Sequence, residues 1–208
     1  MTRCECKEAH ARKRIVLTGG PGAGKSAVLE LLRHFFCRHV DLLPEAASIL
    51  FGGGFRRGGT VTGRQAAQRA IFHVQRELEA VADAEANSAI VLCDRGTVDG
   101  AAYWPGPGDF WTALGTSREA ELRRYDAVIH LRTPPAHLGY DHLNPVRIET
   151  AVEAAAIDER IASAWAGHPR VHLVESAPDF LDKGRLAIEL LREELPDCCR
   201  PPLPIVPG

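Results

Sequence analysis

Nowhere among the 208 residues do roughly eighteen apolar side chains run together, the length that a membrane-crossing helix needs. The opening stretch, MTRCECKEAHARKR, holds no apolar segment of leader length, so the expectation is a cytoplasmic protein with no membrane insertion. Neither sign of charge is in excess: 25 Lys and Arg stand against 27 Asp and Glu, a formal net charge of -2. That balance gives no overall pull toward nucleic acid, and any anionic ligand has to be held by a local basic site. Paired CxxC spacings of the zinc-ribbon kind are missing as well. Cys4, Cys6, Cys37, Cys93 and the adjacent Cys198 and Cys199 read as reduced thiols. The alternative is a metal held where Cys4-x-Cys6 and Cys198-Cys199 meet in space, against which stands the poor chelation of one ion by adjacent cysteines. There is no NKxD for reading guanine in the usual GTPase manner and no glycine three positions after Asp94, and 208 residues are short for a ring ATPase with its helical second domain, which is therefore not the expectation.

What is present suits one buried core. With 45% apolar residues, the chain is read as a flexible segment 1–13, a single domain over 14–195, and a disordered Pro-rich tail over 196–208 that ends CCRPPLPIVPG. Short β-rich runs at 14–18, 39–43, 89–93, 126–131 and 171–174 alternate with helical stretches near 24–36, 64–86, 148–166 and 182–194. This βαβ rhythm predicts an α/β fold, a mostly parallel sheet with helices on both faces. In the second helical stretch Ala67, Ile71, Val74, Leu78 and Val81 predict one buried stripe, with Arg69, Arg76, Glu77 and Asp83 off it.

The most informative stretch is RIVLTGGPGAGKSAVLELL. Gly19-x-x-x-x-Gly24-Lys25-Ser26 fits a phosphate-binding loop, and it lies where such a loop belongs, between a predicted strand and a predicted helix. Glycines let the backbone curl until successive N–H groups point inward around phosphate oxygens, and the helix that follows adds the positive end of its dipole. Gly19, Gly20, Pro21, Gly22, Ala23, Gly24, Lys25, Ser26 and Ala27 are therefore the expected ATP-binding residues. Lys25 would reach the β and γ phosphates, and Ser26 would offer its hydroxyl to Mg²⁺.

AIVLCDRG supplies a second element, a buried-type strand that ends in Asp94. An acidic residue at such a strand end holds magnesium in phosphate-loop proteins, so Asp94 joins Ser26 as a metal candidate; the alternative is an ordinary capping Asp. Arg95 follows. A kinase must hold an acceptor opposite the γ-phosphate and neutralise the transferring group, which Arg95 is placed to do, whereas a surface arginine would simply pair with a nearby carboxylate.

In this order, LTGGPGAGKSAVLELL, LLPEAAS, CDRGTVDGAAYW, RYDAVIHL and NPVRIETAVEAAAIDERIASAW resemble the P-loop AAA-type domain shared with the ribosylnicotinamide kinase part of bacterial NAD-biosynthesis regulators. More distantly they resemble deoxynucleoside and thymidylate kinases. The resemblance covers about residues 14–195 and implies a kinase-like P-loop NTPase fold. Its five-stranded parallel sheet would set the strand carrying Asp94 beside the phosphate-loop strand. It also implies a catalytic carboxylate, Glu45, which would take the proton of the attacking hydroxyl; Asp99 is the rival. Arg147 falls in the segment that becomes the lid over ATP, and Arg132 is the second candidate there. Two loops, 51–64 with Arg56, Arg57 and Arg64, and 102–111 with Trp104 and Trp111, are expected either to recognise the acceptor or to be surface segments. The expected activity is Mg-ATP-dependent phosphoryl transfer to the hydroxyl of a small, nucleoside-like acceptor, through Lys25, Glu45, Arg95 and Arg147. The alternative is an ATP- or GTP-binding regulator or slow NTPase with no acceptor.

Overall fold

The structure is a computed structural model that describes residues 6, 10–35, 39–85, 88–134, 150–176 and 180–200. Strand β1 (Lys13–Thr18) leads into α1 (Lys25–Phe35), β2 (Val40–Leu43), α2 (Ala46–Gly52), the long α3 (Val61–Glu85) and β3 (Ile90–Asp94). A 3-10 turn (Thr97–Asp99) and the short helices α4 (Gly100–Tyr103), α5 (Phe110–Leu114) and α6 (Arg118–Leu122) then connect to β4 (Ala127–Leu131). α7 (Ala151–Trp165), β5 (Val171–Val174) and α8 (Phe180–Glu194) complete the domain.

All strand pairs are parallel and the sheet order is β2-β3-β1-β4-β5, as the α/β reading expected. The central strands are continuous apolar runs because both of their faces are covered. Alternation along them sorts the core into two layers. Ile15, Leu17, Ile90, Leu92, Ile129 and Leu131 pack with α1 and α8. Val16, Val91, Cys93 and Val128 face the opposite way, toward α7 and its Ile157, Ile161 and Trp165.

From β1 the chain runs toward β2, and from the adjacent β3 it crosses to β4 on the other side. The carboxyl ends of β1 and β3 therefore flank a crevice at a topological switch point, where open α/β sheets bind ligands. The register pairs Leu17 with Asp94, so the strand carrying Asp94 lies directly beside the one that feeds the glycine-rich loop.

Three expectations are corrected. The stripe along α3 is turned: the buried residues are Ala67, Phe72, Gln75, Glu79 and Ala82, while Val81 is exposed. Electrostatics is the reason, because buried Glu79 accepts hydrogen bonds from Gln75 at 2.9 Å, from Tyr125 at 2.8 Å and from Arg124, with Arg14 at 3.6 Å. Residues 51–64 are less loop than expected, since α2 runs to Gly52 and α3 starts at Val61. Finally, packing does not stop at residue 195. Asp197–Cys199 form a 3-10 turn and Cys199 is buried against the α1–α8 layer, whereas 201–208 lie outside the described residues.

Candidate active site

Gly19 opens the phosphate loop at φ 145°, and a Cβ there would lie 2.1 Å from the Leu131 carbonyl, so only glycine lets β1 turn this close to β4. The loop is then tied down from three sides. Its Gly20 N–H donates to Asp158 of α7 at 2.8 Å, Thr133 donates to the Pro21 carbonyl at 3.2 Å, and Lys183 of α8 donates to the Ala23 carbonyl at 2.8 Å. Asp158 is itself held by His130 at 2.8 Å and Arg132 at 3.2 Å.

Lys25 folds back over the loop, donating to the Gly19 carbonyl at 2.9 Å and the Gly20 carbonyl at 3.3 Å. Burial, helped by the Arg95 charge, lowers its pKa to about 8. Burial, then the Glu45 charge, raises Asp94 to about 6 against the pull of Lys25 and Arg95. Its Oδ1 is buried with no hydrogen-bond partner among the described residues. A buried carboxylate oxygen left unpaired is costly, and here it fits a cation bound beside the loop, at whose end the Ser26 hydroxyl is exposed.

Beyond Asp94 the chain forms a triad of charges. Arg95 Nε donates to Glu45 Oε1 at 2.8 Å and its other arm to Asp99 Oδ1 at 3.2 Å, while the guanidinium lies 5.5 Å from the Tyr103 ring centre. Asp99 also accepts from the Thr18 hydroxyl, from Gly96 N–H at 3.0 Å and from Trp165 Nε1 at 3.3 Å. With four donors on its two oxygens, Asp99 has little capacity left for a substrate. Glu45, at the start of α2, makes no backbone cap there, and its side chain is 28% exposed. Burial alone would push its pKa up, yet Arg95, with Ser48 and Lys25, holds it below the usual carboxylate range. Glu45, Arg95 and Asp99 line a cavity of about 700 Å³, whose wall includes Phe51, Phe72, Tyr103, Gln75, Arg57 and Arg64. That is room for a metabolite of nucleoside size.

A family model described as an AAA domain matches residues 14–180. The chain belongs to that AAA-domain family. No curated protein matches it significantly. Among solved structures, the AAA domain superposes on NadR in complex with NR with a TM-score of 0.68 at 17% identity, over 89% of this chain and 52% of that one. It therefore spans about half the length of NadR. A thymidylate kinase from Candida albicans gives 0.57 at 13% identity, covering 91% of this chain and 97% of the kinase. Deoxyadenosine kinase from M. mycoides with bound dATP gives 0.58 at 13%, covering 86% and 99%. At these identities what is shared is the fold, that of P-loop kinases.

In this AAA domain the expected residues Lys25, Glu45, Asp94, Arg95 and Asp99 come together at one end of the sheet, and Arg147 lies outside the described residues. Arg132 is engaged elsewhere, paired with Asp158 and Glu159. Trp104 and Trp111 do not line the cavity: both meet Phe110 edge to face, at 5.4 and 4.9 Å between ring centres, and Trp104 Nε1 donates to the Gly108 carbonyl at 3.0 Å. The rings that do face the space are Phe51, Phe72 and Tyr103. Sequence reasoning missed Thr18, His130, Asp158, Trp165 and Lys183. Asp158 carried a visible signal, a charge on the same helix face as Ala154, Ile157, Ile161 and Trp165. Among the described residues no helix is long and apolar enough to cross a membrane.

Proposed function

We propose that this AAA domain is a Mg-ATP-dependent phosphotransferase acting on the hydroxyl of a small, nucleoside-like acceptor. The observation that carries the reading is the second half of the site. A nucleotide-binding switch needs a phosphate loop and a metal carboxylate, but it has no use for Glu45, Arg95 and Asp99 converging on a cavity of about 700 Å³ that adjoins the phosphate loop at Pro21. The NR and dATP named with the NadR and deoxyadenosine kinase structures are consistent with an acceptor or nucleotide of this size.

In the proposed reaction, the backbone from Gly19 to Ala27 cradles the triphosphate. Lys25 leaves the Gly19 and Gly20 carbonyls to meet the β and γ phosphates, exchanging a neutral contact for a charged one. Asp94 and the Ser26 hydroxyl would hold Mg²⁺, which would supply positive charge to the phosphate oxygens. Glu45, ionised at neutral pH, orients the acceptor hydroxyl toward the γ-phosphorus and takes its proton as the new O–P bond forms and ADP leaves. Arg95, braced by Asp99, faces the charge that spreads over the transferring group, and Arg147 is proposed to meet it from the lid. Phe51 and Tyr103 offer faces for a heterocycle.

The test is ADP release with Mg-ATP, with and without a panel of nucleosides that includes nicotinamide riboside. One acceptor should raise turnover well above the basal rate and yield its monophosphate, and Lys25→Ala should remove the rise. Tight ATP binding, with slow hydrolysis that no acceptor changes, would overturn the kinase reading in favour of a nucleotide-binding regulator.

A further inference from the structure

At the N-terminal edge of the sheet, the end opposite the phosphate loop, three distant pieces of chain meet. Cys6 and His10 precede β1, His39 precedes β2, and Cys198 and Cys199 sit on the 3-10 turn after α8. Their sulfur and imidazole atoms form a chain of close approaches. Cys6 Sγ is 3.5 Å from His10 Nε2, which is 3.2 Å from Cys198 Sγ; that sulfur is 3.5 Å from Cys199 Sγ, which is 2.8 Å from His39 Nδ1. The ligating atoms of Cys6, His10 and Cys198 lie within 4.8 Å of one another, and so do those of His39, Cys198 and Cys199. The His10 and His39 rings meet edge to face with centres 5.2 Å apart.

A tetrahedral zinc ion, with bonds of about 2.3 Å to sulfur and 2.0 Å to nitrogen, separates its ligand atoms by roughly 3.5–3.8 Å. Three of the four approaches fall at or just below that range. The fourth, His39 to Cys199, is a hydrogen-bond distance, which suits a partner that supports a ligand from behind. The two triads overlap at Cys198 without merging: Cys6, His10 and Cys198 already lie together, and Cys199, which is not within 4.8 Å of both Cys6 and His10, closes on the ion as the fourth ligand from its place beside Cys198. Adjacency in sequence is no obstacle here, since the sulfurs of Cys198 and Cys199 lie one ligand-to-ligand edge apart. Thiolate with imidazole selects zinc over magnesium or calcium, which take oxygen.

We propose that Cys6, His10, Cys198 and Cys199 bind one Zn²⁺, with His39 donating its Nδ1 hydrogen to the Cys199 sulfur. The ion clips the segment ahead of β1 to the turn after α8, and so closes nearly the whole domain into one loop. It plays no part in phosphoryl transfer. Its effect is on folding, because these ligands are brought near one another only in the folded chain.

The full-length protein, stripped of metal under reducing conditions, is titrated with Co²⁺ as a spectroscopic stand-in. One equivalent should produce thiolate-to-cobalt charge transfer and the intense d–d bands of a tetrahedral site, and Zn²⁺ should bleach both. Zinc should also raise the thermal midpoint of the stripped protein by several degrees. Cys198→Ser, a change at an exposed position, should abolish the bands, and Cys93→Ala, a cysteine of the sheet outside the cluster, should leave them intact. Absence of the cobalt–thiolate band in the wild type overturns the proposal whatever the variants do, and so does a band that Cys198→Ser leaves unchanged.

Discussion

Among the described residues, Arg95 is the non-glycine residue at positive φ, 71°, a left-handed conformation that costs a side chain about 1–3 kcal/mol. Its N–H bond to the Leu17 carbonyl, at 3.0 Å, and its two carboxylate partners hold it there. The strain is spent on direction: an arginine leaving β3 in ordinary extended backbone would not turn back between Glu45 and Asp99. The same cluster sets the charge state of Lys25, whose pKa burial and Arg95 lower to about 8. Between about pH 8 and 10.5 the folded chain has released this proton and the unfolded chain has kept it, so this group lets stability rise with pH across that window. Nucleotide binding runs the other way. A triphosphate favours the charged amine and must recover the proton above pH 8, so affinity should weaken as pH rises, approaching tenfold per unit well above pH 8. Calorimetric titration with a non-hydrolysable ATP analogue from pH 7 to 9.5 should show this step. Lys25→Met should bind weakly with no step near 8, and a wild-type affinity that is flat over the range would remove Lys25 from phosphate contact.

The elements owe their positions to polar seams as much as to apolar stripes. α3 turns Glu79 fully inward because Arg124, Arg14, Gln75 and Tyr125 all meet it, and Tyr125 in turn accepts the Thr97 N–H just beyond Arg95. Removing one partner from such a buried group costs about 3–5 kcal/mol, because the cations stay behind uncompensated. Glu79→Ala should therefore lower the thermal midpoint by on the order of 10 °C, whereas Glu77→Ala on the exposed side of the same turn should leave it nearly unchanged. Equal effects from the two would show the seam to be energetically idle. This seam also marks where the sequence stops being readable. The strands were legible because parallel strands buried on both faces are unbroken apolar runs, and the glycine loop and Asp94 because their chemistry is local. The face of α3 was not, since a charge reads as solvated until its partners, about 45 and 65 residues away in the chain, are known. Helices α4 to α6, at four or five residues each, are too short to show a period and owe their form to what they pack on.

Across the whole molecule, the phosphate loop is the point where the layers are joined. Asp158 reaches it from the α7 side, Thr133 from the end of β4, and Lys183 from α8 on the opposite face of the sheet. None of these three residues belongs to the loop itself, which is why the motif was visible in sequence and its scaffold was not. A loop held from three sides needs little reordering to accept phosphate, so the free energy of binding is kept rather than spent on ordering the backbone. At a nucleotide concentration of 100 times Kd the folded state gains about 2.7 kcal/mol, which for a chain of this size corresponds to roughly 5–10 °C in thermal midpoint. Lys25→Ala should erase that increment by removing a phosphate contact. Lys183→Met touches no phosphate in this scheme, yet it deprives the Ala23 carbonyl of its buried donor and loosens the loop from α8. It should lower the midpoint of the nucleotide-free protein and also shrink the nucleotide increment at a fixed concentration, because part of the binding energy must then reorder the loop. If Lys183→Met lowers the midpoint but leaves the increment intact, α8 supports the sheet without organising the loop, and preorganisation rests on α7 and β4 alone.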